Sequence, residues 1–240
     1  MPSSVDIDSV SVGEILRDIT LHIAPRESVA LIGRSGAGKT TLLRLLNGLA
    51  TPTSGTVSID GIAMSGDLAP RRRRIGTMLQ SPALFPHRTV YENIATVPRL
   101  LAWDEQRIRT AARELLAQLE LPFDRFADRF PRLLSGGEQQ RVGIARAMIA
   151  EPPLLLCDEP FSAVDPLVRR DLQESFVKLR DRGDVTMIFV THDLAEALRV
   201  GERIVLIDGG SIVCDETRER FLASEHPLVR RFLDAARIPA

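Results

Sequence analysis

The 240-residue chain is 44% hydrophobic and 26% charged, and its 31 basic residues nearly balance 32 acidic ones, for a formal net charge of −1. A disordered chain is poorer in apolar residues and more highly charged, and a nucleic-acid binder shows a basic excess, so both classes are excluded. Two cysteines, no apolar run near the roughly 18 residues that span a bilayer, and a start without a signal-peptide pattern lead us to expect a chain of the reducing cytoplasm.

In chain order, the first 65 residues alternate and turn often, at Pro52-Thr53-Ser54-Gly55 and Asp60-Gly61, which predicts a small antiparallel sheet. Within them, Ser28-Val29-Ala30-Leu31-Ile32 is apolar on both faces and reads as a buried strand. A helix is predicted over 40–49, with leucines at 42, 43, 45, 46 and 49. Arg71 to Arg74 read as a solvated turn before a strand leading to Gln80. Residues 88–150 look mostly helical, and the apolar stripe of 104–119 predicts one helix there, capped by Asp104 and ended by Pro122. Trp103 and Tyr91 are expected to pack within this helical part. Leu154-Leu155-Leu156-Cys157 is a second buried strand, with Cys157 a small core residue rather than a nucleophile. Asp165-Pro166 opens a helix that runs to about Arg182, before Gly183. Short apolar strands follow at 187–190 and 204–207. Strands alternating with helices define an α/β fold.

The chemistry starts at Gly33-Arg34-Ser35-Gly36-Ala37-Gly38-Lys39-Thr40, which matches G-x-x-x-x-G-K-[ST] at every fixed position, after a strand and at a helix start. Glycines let backbone N–H groups wrap phosphate oxygens, and the helix N-terminus adds a positive dipole. Lys39 would reach the β- and γ-phosphates, and the Thr40 hydroxyl would ligate Mg²⁺. The strand at 154–157 runs into Asp158 and Glu159, a carboxylate pair at a sheet's carboxyl end, where α/β proteins bind ligands. Asp158 suits the Mg²⁺ shell and Glu159 an attacking water.

Leu134-Ser135-Gly136-Gly137-Glu138-Gln139-Gln140-Arg141 narrows the field, because two glycines after a serine at a helix start offer a hydroxyl and bare N–H groups to a phosphate. With this segment the chain resembles the nucleotide-binding subunit of ATP-binding cassette (ABC) transporters, whose LSGGQ-type signature precedes the carboxylate strand. Ser135 lies 23 positions before Asp158, and Glu138 departs from the usual glutamine. The resemblance covers essentially the whole chain. It implies a P-loop NTPase core of mostly parallel sheet (1–87 and 151–240), a small antiparallel β subdomain on its N-terminal side, and an inserted helical subdomain (88–150), all in one domain. It implies ATP and Mg²⁺ as cofactors, with residues 33–41 (Thr41 included) on the phosphates and Thr40, Gln80 and Asp158 on the metal. Gln80 matches the Q-loop glutamine, Ser162-Ala163-Val164-Asp165 the D-loop, and His192 the switch histidine, so Glu159, His192 and Gln80 are the expected catalytic set. Ser135, Gly136, Gly137, Glu138 and Asp165 are expected to meet the ATP held by a second copy, in a head-to-tail sandwich.

The family usually stacks adenine on an aromatic residue ahead of the phosphate loop, yet no Phe, Tyr or Trp occurs among residues 1–24. Val12 stands roughly in that place, so either a branched aliphatic packs on the base or adenine is held less tightly. Separate membrane permease subunits, an extracytoplasmic solute-binding protein, and a place on the cytoplasmic face of the membrane are further implications. No nucleic-acid partner is expected. His87 is a candidate docking residue for the membrane partner. Residues 84–104 and 226–233 resemble importers of quaternary amines such as glycine betaine, choline and carnitine. The competing readings are an importer of another polar solute, an exporter, an ABC ATPase without transport, and a different phosphate-loop enzyme such as a kinase, which leaves Ser135-Gly136-Gly137 unexplained.

Overall fold

The computed structural model describes residues 1–162 and 164–237; Ala163, expected in the D-loop, lies outside them. The chain opens with strands β1 (Val5–Val12), β2 (Leu16–Ile23) and β3 (Ser28–Ile32), then helix α1 (Lys39–Leu46). Strands β4 (Ser54–Ile59) and β5 (Ile62–Ala63), the short helix α2 (Ala69–Arg72) and strand β6 (Ile75–Met78) follow. Between β6 and β7 (Leu154–Asp158) come helices α3 (Val90–Ile94), α4 (Thr96–Leu100), α5 (Glu105–Gln118), α6 (Phe123–Phe126) and α7 (Gly136–Met148). The last third holds α8 (Pro166–Arg182), β8 (Thr186–Val190), α9 (Leu194–Val200), β9 (Arg203–Asp208), β10 (Ser211–Thr217), α10 (Arg218–Leu222) and α11 (Pro227–Ala235). Among the described residues, no helix is long and apolar enough to cross a membrane.

Two sheets form, as the α/β pattern predicts. Strands β2-β1-β4-β5 make an antiparallel sheet, and β10-β9-β3-β8-β7-β6 make a larger one. In the larger sheet every pairing is parallel except β9 with β10. Its central strands β3, β7 and β8 are buried at all five positions, which accounts for their unbroken apolar runs. Leucines 42, 43, 45 and 46 of α1 fill the core shared with the antiparallel sheet, while α5, α7 and α8 pack in a second core with the other side-chain set of β3, β7 and β8. Register matters most for function. Leu31 and Asp158 both pair with Val190, so the chain leaves β3, β7 and β8 along one edge of the sheet.

Both ends of α8 follow the local signals. The Asp165 carboxylate accepts from the N–H groups of Leu167 and Val168, and Gly183 closes the helix at φ +66°. Three expectations need correction. Helix α1 stops at Leu46, and Leu49 lies beyond a turn at Gly48 with 57% of its surface exposed. Helix α5 stops at Gln118, four residues before Pro122. Glu120 adopts a left-handed φ of +55°, Leu121 N–H bonds to the Leu116 carbonyl and Glu120 N–H to that of Ala117, so the carbonyls are satisfied without the proline. Arg72 is more than a solvated turn residue, because its guanidinium donates to the carbonyls of Asn47 and Gly48 and ties off the end of α1. Strand β10 had no apolar run to announce it. It is a half-buried edge strand with polar residues interspersed, and the Gly209-Gly210 turn was its one sequence signal.

Candidate nucleotide site

The loop after β3 takes its shape from two glycines. A methyl group on Gly33 would lie 2.1 Å from the Ile207 carbonyl oxygen, and one on Gly38 would lie 2.4 Å from the Leu16 side chain. Gly38 is also left-handed, φ +100°, where an L side chain is strained. The loop therefore wraps tightly onto the N-terminus of α1. Lys39 begins the helix and is 8% exposed, its ammonium donating to the carbonyls of Gly33 and Arg34 at 2.9 Å each. Burial pushes its pKa below the usual lysine value, while the charges of Glu159 and Asp158 act in the other direction.

Asp158 ends β7 and is buried. Burial raises its pKa, opposed first by a hydrogen bond from the Thr40 hydroxyl and then by Arg44 and Lys39. Hydroxyl and carboxylate thus already stand together, and with the Gln80 carboxamide they make a set of hard oxygen donors that suits Mg²⁺. Glu159 follows at φ +49°, an uncommon backbone state for a side chain of its size, with its N–H bonded to the Val190 carbonyl at 3.0 Å. One carboxylate oxygen of Glu159 accepts from Gln80 Nε2 at 3.1 Å, and the other stands 3.4 Å from His192 Nδ1. The imidazole of His192 is 67% exposed.

These groups line one pocket of about 600 Å³: Ile15, Gly33, residues 35–41, Gln80, Glu159, Val190 and His192. Asp158 stands behind Thr40, and Arg34 contributes its carbonyl to Lys39. The remaining expected contacts lie elsewhere in this chain. Ser135 caps α7, its hydroxyl accepting from Glu138 N–H at 3.2 Å while the Glu138 carboxylate accepts from Ser135 N–H at 2.7 Å. That reciprocal cap explains why Glu is accommodated at 138. Gly136 and Gly137 occupy the first turn of α7, and a methyl on exposed Gly136 would meet nothing within 4 Å. The Asp165 carboxylate is engaged in capping α8.

Three residues escaped sequence reasoning. Ile15, half exposed on the β1–β2 turn, lines the pocket, whereas Val12 pairs with Leu16 and does not. An apolar residue at a hairpin tip was the available signal. Glu196 is buried near the same loop, its carboxylate accepting from the Thr191 hydroxyl at 2.6 Å, and burial raises its pKa. Gln140 is wholly buried and reaches the backbone of Glu159.

An in-line parallel sheet edge, a phosphate-binding loop, a carboxylate pair and a separate glycine-rich helix start define an ATP-binding cassette. The chain belongs to the ABC transporter family, whose sequence pattern matches residues 16–162. The glycine betaine/carnitine/choline transport ATP-binding protein OpuCA of Bacillus subtilis (strain 168) is 44% identical over 225 residues, 93% of this chain and 59% of that protein. The choline transport ATP-binding protein OpuBA of the same organism is 42% identical over 236 residues, 93% of this chain and 62% of that one. The chain therefore spans about three-fifths of these curated relatives. A solved dimeric structure of the ATP-binding cassette MJ0796, in a post-hydrolysis state bound to ADP and Pi, superposes with a TM-score of 0.83 at 35% identity, covering 89% of this chain and 98% of that one.

Proposed function

We propose that this chain is the ATP-hydrolysing subunit of an ABC importer, and that the cargo is an osmoprotectant quaternary amine. The observation that carries the ATPase reading is the convergence of Lys39, Thr40 with Asp158, and Glu159 with Gln80 and His192, on one pocket at the sheet's carboxyl edge. The P-loop N–H groups and Lys39 hold the β- and γ-phosphates. Thr40, Asp158 and Gln80 would hold Mg²⁺, which when bound would offset charge on the phosphates. Glu159 accepts a proton from the water that attacks the γ-phosphorus as the β–γ bridging bond breaks. His192, beside that carboxylate, is placed to contact the γ-phosphate. The cargo reading rests on the relatives' names and on the resemblance of residues 84–104 and 226–233 to quaternary-amine importers. Deleting the gene and measuring uptake of radiolabelled glycine betaine, choline and carnitine at high osmolarity tests it. Loss of uptake of at least one is expected, and unchanged uptake of all three rejects the cargo.

A second copy completes the site. Gly136 is the first residue of α7, and among the described residues nothing lies within 4 Å of where a methyl group on it would stand, so its own chain gives no packing reason for a glycine. Close approach of a partner's nucleotide supplies the missing reason. ATP with Mg²⁺ is therefore expected to shift a hydrolysis-deficient variant from monomer to dimer in multi-angle light scattering, and a dimer indifferent to nucleotide counts against the sandwich. Permease subunits and a solute-binding protein complete the assembly, which places the chain on the cytoplasmic face of the membrane. The groove beside exposed Leu49 and Phe85 is the apolar surface offered to the permease. For the base, Ile15 rather than Val12 supplies the apolar contact. Ile15→Ala should weaken ATP binding by roughly fivefold, a loss of about 1 kcal/mol of apolar burial, and Val12→Ala should change it less than about twofold. Titration with a fluorescent ATP analogue reads both, and equal effects remove Ile15 from the site.

A further inference from the structure

We infer that Gln140 is a positioning residue for hydrolysis, tying the signature helix α7 to the backbone of Glu159. The inference rests on the reading of Glu159 as the base that activates water. Gln140 is 0% exposed, an unusual place for a long amide. Its Nε2 donates to the carbonyl oxygens of Glu159 and Pro160, at 3.3 Å each. Among the described residues its Oε1 is buried without a hydrogen-bond partner. A side chain kept only to fill space would be apolar here, because an unpaired buried acceptor destabilises the fold. The donor end explains its retention.

What that donor holds is strained. Glu159 is left-handed at φ +49° and precedes a proline, which restricts the residue before it. The direction of its side chain follows from how the 159–160 peptide is turned. The other bonds on this turn are local to it or to the sheet: Ser162 N–H and hydroxyl to the Glu159 carbonyl, and Glu159 N–H to Val190. Among the described residues, Gln140 is the one side chain from residues 88–150 that hydrogen-bonds the turn. Ser135 caps the same helix five residues earlier, about 7 Å along its axis. Displacement of α7 at its signature end is therefore transmitted to the peptide that aims Glu159.

Two variants test this, with Glu159→Gln as the reference. Gln140→Met keeps the volume and removes the donor. It should lower kcat by roughly 10- to 100-fold, the scale of a misplaced catalytic group, with KM and ATP affinity within about twofold of the parent. Gln140→Glu adds a readout that simple packing would not move. Its buried carboxyl, held neutral by desolvation, can donate to the same carbonyls until it ionises. Its rate relative to the parent should be highest near pH 6 and fall towards pH 9. If Gln140→Met proves unstable in thermal melts, the pH profile of Gln140→Glu decides. A Gln140→Met rate within twofold of the parent, a parallel loss of rate and ATP affinity, or a flat Gln140→Glu ratio each overturns the role. Normal turnover by Glu159→Gln overturns the underlying reading instead, so the two failures are distinguishable.

Discussion

Glu159→Gln is expected to bind ATP as well as the parent or better, and to hydrolyse it on the order of 10²–10⁴-fold more slowly. The geometry separates the two carboxylates. Asp158 is buried at the end of β7, and the Thr40 hydroxyl beside it holds its pKa down against burial. Glu159 lines the pocket, with Gln80 on one oxygen and His192 near the other. Glutamine keeps the size of the side chain and one acceptor oxygen, but it cannot take a proton at neutral pH. It also removes a negative charge that faces the phosphates, which favours retention of ATP and the closed dimer. Equilibrium binding and steady-state phosphate release, measured on the same preparation, check both halves. Near-normal turnover would move the role of base to His192.

Lys39→Ala should show the opposite failure: ATP affinity falls about a hundredfold, the scale of ~3 kcal/mol for truncating a buried, hydrogen-bonded charge. The ammonium is the cation inside the loop, and Asp158 and Glu159 leave the site anionic without it. Phosphate oxygens can replace the Gly33 and Arg34 carbonyls as its acceptors with little movement. The fold should tolerate the change, because the loop's shape comes from Gly33 and Gly38. Calorimetric titration with ATP, set beside a thermal melt, separates lost binding from lost structure. Lys39→Arg should recover only part of the affinity, since a forked guanidinium does not fit the space of a compact ammonium. Affinity within threefold of the parent for Lys39→Ala would sink the assignment.

Much of this site was legible in the sequence because its signals are short-range. The phosphate loop, the Asp158-Glu159 pair after an apolar run, and both ends of α8 depend on neighbours within a few positions, where backbone sterics and capping chemistry act. Parallel strands buried on both faces likewise declare themselves as unbroken apolar runs. Spacing alone could not say which side chains meet across the fold. Val12 and Ile15 are three residues apart, yet the turn between β1 and β2 sends only Ile15 to the pocket. Gln140 sits in the same stretch of sequence as the signature, but its direction on α7 takes it into the core, to the backbone of Glu159. Glu138 looked like a departure and proves to be the second half of a helix cap. Strand β10 gains its identity from the edge it pairs with, not from its own composition. The sequence by itself determined the phosphate loop and the carboxylate pair on which the nucleotide reading rests, since each is written in contiguous residues. The tertiary structure decided the rim of the pocket and the support of Glu159, the carboxylate proposed as the base, because those depend on contacts between segments far apart in the chain.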